Sequence, residues 1–124
     1  MKTFFLLLLL IFFNSFAYAQ PKLKVLDAKK NFGMVKKGEV VKIDFEISNI
    51  GNEPLLITSV DITCSCTTAE FDKAPVLPGK NTIIRILFNT QTVYDRQDRT
   101  VLVQSNDKNG PYKLRYKGVV LNKK

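Results

Sequence analysis

From Val40 to Ser48 the chain alternates: Val41, Ile43, Phe45 and Ile47 fall on one parity, and Val40, Lys42, Asp44, Glu46 and Ser48 on the other. Period two over such a length predicts a β-strand with one buried face. The same alternation returns in Asn81–Asn89, with Ile84, Ile86 and Phe88 set against Ile83, Arg85 and Leu87. It returns again in Pro111–Leu121, where Tyr112, Leu114 and Tyr116 oppose Lys113, Arg115 and Lys117. Leu55–Cys66 carries Leu56, Val60, Ile62, Cys64 and Cys66 on one parity, with Thr58 as the polar exception, and Thr100–Gln104 is rich in valine. Between these runs stand Val35–Gly38, Asn49–Pro54, Leu77–Lys80 and Ser105–Pro111, built largely from residues that fix or tolerate unusual φ. Asn89–Asp98 reads as the one longer irregular stretch. No segment carries a helical period. Short strands at this spacing predict an all-β fold, an antiparallel immunoglobulin-like β-sandwich of about seven strands.

The first residues follow a different pattern. Residues 4–13 are all apolar, Lys2 precedes them and Ala17-Tyr18-Ala19 follows. A charged start, a short apolar run and an A-x-A site are the marks of a secretory signal peptide. The run is shorter than the roughly 20 residues a membrane span needs. The expected organisation is a signal peptide over 1–19 and one domain over 20–124. The mature protein would then not span a membrane, and it would reside in the periplasm or outside the cell.

Removing the leader changes the composition. It takes five of the nine phenylalanines, and the formal charge falls from +8 to +7. About a hundred residues make one domain with a modest core, too small for a doubly wound α/β enzyme. The chain has no histidine and no tryptophan. Ser-His and Cys-His catalytic pairs and imidazole metal ligands are thereby excluded. The expectation is a protein that is not an enzyme.

Cys64 and Cys66 are the only cysteines. On an extended strand, residues i and i+2 face the same way with Cα atoms about 6.6 Å apart. That is near the upper end of the roughly 4.4–6.8 Å a disulfide allows. Four readings follow: two small buried thiols, a strained and reducible disulfide favoured by export, a soft-metal site, or bonds to a partner's cysteine. Two thiolates do not complete a tetrahedral zinc site, whereas Cu(I) accepts two ligands. Copper is therefore the metal considered for Cys64 and Cys66, with Met34 as a possible third sulfur. Otherwise no cofactor is expected.

Lys113, Arg115 and Lys117 form a basic row on one face of the last strand. Such a row attracts polyanions. Export argues against nucleic acid, so the expected partner is an envelope protein or an anionic envelope polymer. The same charges also keep an edge strand from pairing with other chains. Asp44 and Glu46 read as a solvated strand face, and Asp95 and Asp98 as loop residues without calcium-loop spacing. Binding is expected at a sheet edge or through loops at one end, with Thr63, Ser65 and Thr67 around the cysteines as candidates beside the basic row. Strand addition is the recurring physical mode at such an edge.

Asn31-Phe32-Gly33-Met34-Val35, Gly38-Glu39, Asn49-x-Gly51, Pro54-Leu55-x-Ile57, Thr63-Cys64-Ser65-Cys66-Thr67, Pro78-Gly79, Ser105-Asn106 and Gly118-Val119 occur in that order. The set resembles the bacterial secreted family known as domain of unknown function 1573, from Leu23 to Val120. The resemblance implies an immunoglobulin-like domain similar to those of sperm-protein and cilium-associated proteins. It also implies a non-enzymatic binding or structural role in the cell envelope. Ser65 stands where the family usually has glycine, a residue with more backbone freedom. The alternative function is a periplasmic thiol-based Cu(I)-binding or redox protein.

Overall fold

Eight strands form two four-stranded sheets in the computed structural model, which describes Thr3 and residues 19–122. The strands are β1 (Leu23–Val25), β2 (Lys29–Lys36), β3 (Val40–Asn49), β4 (Ile57–Asp61), β5 (Thr67–Phe71), β6 (Asn81–Asn89), β7 (Asp95–Ser105) and β8 (Tyr112–Leu121). One sheet has the order β1-β3-β6-β5 and the other β2-β8-β7-β4. The leader assigned to 1–19 lies, apart from Thr3 and Ala19, outside the described residues. Among the described residues no helix is long and apolar enough to cross a membrane.

The eighth strand arises because the first one is shared between the sheets. β1 pairs antiparallel with β3, the chain crosses over at Leu26–Ala28, and β2 then runs parallel to β8. The other pairs are antiparallel. Parallel pairing on β2 places β8 between β2 and β7. The basic row of β8 therefore lies on an interior strand, and protection of a sheet edge is not its role.

The alternation expected for β3, β6 and β8 is met. Ile43, Phe45 and Ile47 pack with Ile84, Ile86 and Phe88 of the neighbouring strand. Val101, Val103, Leu114, Tyr116 and Val120 close the core from the other sheet. Each such side chain contributes about 1.5–3 kcal/mol by leaving water.

Two sequence expectations are corrected by the structure. Leu55–Cys66 is not one strand with Leu56 inside. Leu55 and Ile57 are buried while Leu56 is exposed, and a register irregularity between Ile57 and Ser59 resets the parity before Val60. The strand ends at Asp61. Nor is Asn89–Asp98 a loop throughout: β7 already begins at Asp95, whose φ of 70° lies in the left-handed region that a short polar residue tolerates. Arg96, Gln97 and Asp98 pair with Val119, Gly118 and Lys117. The segment carries no apolar alternation because its inward residue is Gln97. That side chain is satisfied by the Tyr94 carbonyl, which accepts from Nε2 at 2.9 Å, and by Arg99, which donates to Oε1.

Several ordered motif residues serve the scaffold. Asn49 is fully buried, and its amide donates to the carbonyls of Glu53 (2.7 Å) and Val76 (2.8 Å). Its Oδ1 accepts from the Gly51 N–H at 3.0 Å. Gly51 has no room for a side chain, since a Cβ there would meet the backbone of Gln20–Lys22. The buried Thr90 hydroxyl donates to the Glu39 carbonyl at 2.6 Å and accepts from the Gly38 N–H at 3.0 Å. Asn49-x-Gly51 and Gly38-Glu39 are thus turn-and-anchor devices.

Candidate functional site: a basic sheet face and a disulfide loop

Two features carry chemistry: a face of the β2-β8-β7-β4 sheet, and the loop that leaves this sheet after β4 and enters the other sheet at β5. The first is the outer face of β2, β8 and β7. Along β8 the odd-numbered residues Lys113, Arg115 and Lys117 turn outward, opposite the buried Leu114 and Tyr116. The parallel register sets Lys29 beside Arg115, and the antiparallel register sets Arg96 beside Val119. The row of three predicted from the sequence is therefore part of a two-dimensional patch. Lys29, Arg96, Lys113, Arg115 and Lys117 stand on this face against Asp98 and, on β4, Asp61. Lys29 and Arg96 escaped the sequence reading because one needs the parallel pairing and the other lay in a presumed loop.

Asp98 organises the patch. Arg115 donates from Nε to its Oδ1 at 2.7 Å, and the second guanidinium nitrogen closes a bidentate pair on Oδ2. That hydrogen bond, with the charges of Arg115 and Lys117, holds the Asp98 carboxyl below the usual carboxylate range. The pair is solvent-exposed and contributes little to stability. It does fix the Arg115 fork in place. A groove of about 500 Å³ runs over this face, lined by Asn31, Met34, Arg96, Arg115, Lys117 and Val119. A second of about 480 Å³ adjoins it across Asp98 and Arg115 and includes Lys29 and Lys113. Exposed Met34 and half-buried Val119 give the groove an apolar strip beside its cations.

Beneath the face, an aromatic stack supports it. Phe32 sits at a bulge between Asn31 and Gly33 and is unpaired in the ladder. Its ring lies over Gly118, where a Cβ would collide with it. The ring packs 5.7 Å from Phe88, which in turn is 5.4 Å from Tyr116. Gly118 is therefore explained by packing and not by turn conformation.

The second feature is the loop Ile62–Cys66. Cys64 and Cys66 are disulfide-bonded, with Cα atoms 5.2 Å apart, closer than an extended strand would place them. The chain turns at Ser65–Cys66, which brings the two together. Ser65 is not in the left-handed region, so this turn does not require the family's glycine. No free cysteine is present among the described residues. Of the four sequence readings, free buried thiols do not describe this state, and in the bonded form neither sulfur is a thiolate that Cu(I) could take. Among the described residues no three His, Cys, Asp or Glu gather as a metal site. Met34 lines the groove on the β2 side, whereas Cys64 lines a different cleft.

Thr63 and Ser65 are exposed, as expected of binding-loop residues. Thr67 is not. It is 5 % exposed, and its hydroxyl is 2.6 Å from that of Tyr116, itself 1 % exposed. The Tyr116 hydroxyl therefore ends in the core and does not reach solvent. Thr67 is inward because it opens β5 opposite Phe88. Burial pushes the Tyr116 phenol above its ordinary range. The direction of this network follows from proton counting. Thr67 Oγ1 is 3.6 Å from Cys66 Sγ, and a disulfide sulfur has no proton to give. Thr67 therefore donates to Cys66 Sγ and accepts from the Tyr116 hydroxyl. The Cys66 N–H donates to Cys64 Sγ at 3.2 Å.

A cleft of about 270 Å³ opens beside the disulfide, lined by Thr63, Cys64, Arg99, Thr100 and Tyr116 among others. Cys64 is half-buried and reaches this cleft, while Cys66 is buried and does not line it. The bridge spans a single intervening residue. In the chain-entropy picture so short a loop stabilises the fold by roughly 1.6 kcal/mol, against roughly 3 kcal/mol for a fifteen-residue loop.

Solved structures share this architecture. The chain is similar to a protein of unknown function from Porphyromonas gingivalis W83, at 25% identity and a TM-score of 0.73, covering 86% of this chain and 50% of that one. It is also similar to the ASH / PapD-like domain 7 of human CEP192, at 11% identity and a TM-score of 0.65, covering 90% of this chain and 93% of that one. A third likeness is to the VesB protease of Vibrio cholerae, at 14% identity and a TM-score of 0.61, covering 83% of this chain and 32% of that one. The last two show the fold alone. The chain spans half the length of the first of these structures and about a third of the protease. No curated protein matches the chain. The profile of one family matches residues 23–120, which covers the sandwich from the start of β1 almost to the end of β8, and the chain belongs to that family, described as Protein of unknown function (DUF1573).

Proposed function

We propose that this chain is an exported, non-catalytic binding module of the bacterial envelope, and that the outer face of β2, β8 and β7 is the surface that holds an anionic envelope polymer. The observation that carries the reading is the gathering of Lys29, Arg96, Lys113, Arg115 and Lys117 on one sheet face from three strands. The opposite sheet offers a contrast. Its outer ladder sets Lys42 and Arg85 against Asp44, Glu46 and Glu70, so cations hold no excess there. A patch with an excess of one sign beside a groove raises the local concentration of a polymer of the other sign. The absence of histidine from the sequence agrees with a role without acid–base or nucleophilic chemistry.

The test is a titration of the mature chain with heparin as an anionic polysaccharide probe and with dextran as a neutral one. Saturable binding to heparin that weakens steeply between low and physiological salt, with none to dextran, supports the reading. Equal binding to both, or none to either, contradicts it. Export is tested separately: expression of the full chain in a bacterial host should yield a periplasmic or secreted product whose mass begins at Gln20. An unprocessed cytoplasmic product would contradict it.

A further inference from the structure

We propose that Cys64–Cys66 is an exchangeable disulfide, attacked at Cys64 by a low-molecular-weight anionic thiol, with Cys66 as the leaving sulfur. Three observations separate the two sulfurs. Only Cys64 lines the cleft, and it is half-buried where Cys66 is buried, so Cys64 is the sulfur more open to an incoming group. Cys66 is buried, and its Sγ receives the Thr67 hydroxyl, which is itself supported by the Tyr116 hydroxyl. Arg99 lines the same cleft, and the one carboxylate among its lining residues, Asp98, is already paired with Arg115, which leaves the cleft suited to an anionic thiol.

The step balances as an ordinary exchange. The external thiolate sulfur forms a bond to Cys64 Sγ, and the Cys64–Cys66 bond breaks. The electron pair passes to Cys66 Sγ, which leaves as a thiolate accepting the Thr67 hydrogen bond and later takes a proton from solvent. A second external thiolate then attacks the sulfur of the first external thiol in the mixed disulfide and releases Cys64 as a thiolate. Two external thiols are oxidised to their disulfide while Cys64 and Cys66 are reduced, and the reverse sequence reoxidises the pair. Donors to sulfur stay in place throughout, since Thr67 belongs to β5 and the Cys66 N–H to the loop backbone. Because the bridge closes only a short loop, the sandwich does not depend on it to stay folded. The exchange does not depend on what the basic face binds.

Glutathione is the probe, with iodoacetamide quenching and intact-mass readout on the folded mature chain. Millimolar reduced glutathione should reduce the parent in the absence of denaturant. With oxidised glutathione, the Cys66→Ser variant should form a Cys64 adduct at least tenfold faster than Cys64→Ser forms one at Cys66. Thr67→Val should slow reduction of the parent bridge about three- to tenfold, and Thr67→Ser should restore it. Tyr116→Phe, which removes only the upstream donor, should slow it as well. Reduction that occurs only in unfolding concentrations of urea, or adducts that form equally fast at both sulfurs, overturns the proposal. A Thr67→Val rate equal to that of the parent overturns the role given to Cys66 as the supported leaving sulfur.

Discussion

The hydroxyls of Thr67 and Tyr116 meet at 2.6 Å inside the core and join β5 of one sheet to β8 of the other. Thr67 hands its own proton to Cys66 Sγ, so the disulfide loop is wired to the centre of the basic sheet. Tyr116→Phe removes the only proton that satisfies the Thr67 oxygen from this side. A buried, unsatisfied acceptor costs about 1–3 kcal/mol. Urea unfolding should show a loss in that range with an unchanged m-value.

Gly118 and Phe32 should behave as one unit. Gly118→Ala drives a methyl group into the Phe32 ring and should cost about 1–3 kcal/mol. Phe32→Leu leaves a smaller side chain above the same site. The double variant Phe32→Leu with Gly118→Ala should therefore be more stable than the two single losses summed would give. Additive losses in a thermal or urea series would separate the two residues.

Asp107 and Tyr112 should contribute to the pH dependence, beside the lowered Asp98 carboxyl and the raised Tyr116 phenol. The Tyr112 hydroxyl donates to Asp107 Oδ2 at 2.5 Å, and the N–H groups of Leu23 and Asn109 donate to the same carboxylate. Burial pushes the Asp107 carboxyl up, but those three donors outweigh it and hold it below the ordinary range. Its contribution is thus present above about pH 4, the unfolded value, and is lost as pH falls through the lower folded value. Burial and the Asp107 hydrogen bond push the Tyr112 phenol up to about 12. A folded value raised above the unfolded value of about 10 stabilises the fold below pH 10, and this is lost as pH rises toward about 12. Urea midpoints should therefore fall at both extremes. Tyr112→Phe should flatten the alkaline limb, and Asp107→Asn should flatten the acid one.

Asn49 should be among the least replaceable polar residues. Asn49→Ala leaves the Val76 and Glu53 carbonyls and the Gly51 N–H without their partner. The expected loss is about 2–4 kcal/mol, since each orphaned buried group costs about 1–3 kcal/mol and solvent reaches part of the turn. A thermal midpoint within a degree or two of the parent would contradict this account of the Asn49-x-Gly51 motif.

These residues also show what a sequence reveals. Val41 to Ile47 announces its strand because one face is apolar and the other polar, and Ile84 to Phe88 because Arg85 interrupts an otherwise apolar run with β-branched Ile84 and Ile86. Asp95–Asp98 announces nothing, because its inward side chain is Gln97 and its register partners are Val119, Gly118 and Lys117. Leu55 and Leu56 are equally apolar, so only the register irregularity after Ile57 shows which one is inside. The row Lys113, Arg115, Lys117 is visible on one strand. Its extension through Lys29 and Arg96 depends on pairing between segments far apart in the chain, and the parallel sense of β2 on β8 has no local signature. The Cys64–Cys66 spacing marks a candidate bridge, but the buried Thr67 and Tyr116 hydroxyls that distinguish its two sulfurs meet only after both sheets have formed.

The basic face is tested most directly by heparin affinity of Arg96→Glu with Lys117→Glu, compared with Lys42→Glu on the outer side of the opposite sheet. All three substitutions lie at exposed sites and should leave the fold intact. The paired variant on β7 and β8 should bind at least tenfold more weakly than the parent at low salt, while Lys42→Glu should stay within about twofold. Equal weakening per reversed charge in the two variants would mean that binding follows net charge alone and would contradict a binding face on β2, β8 and β7.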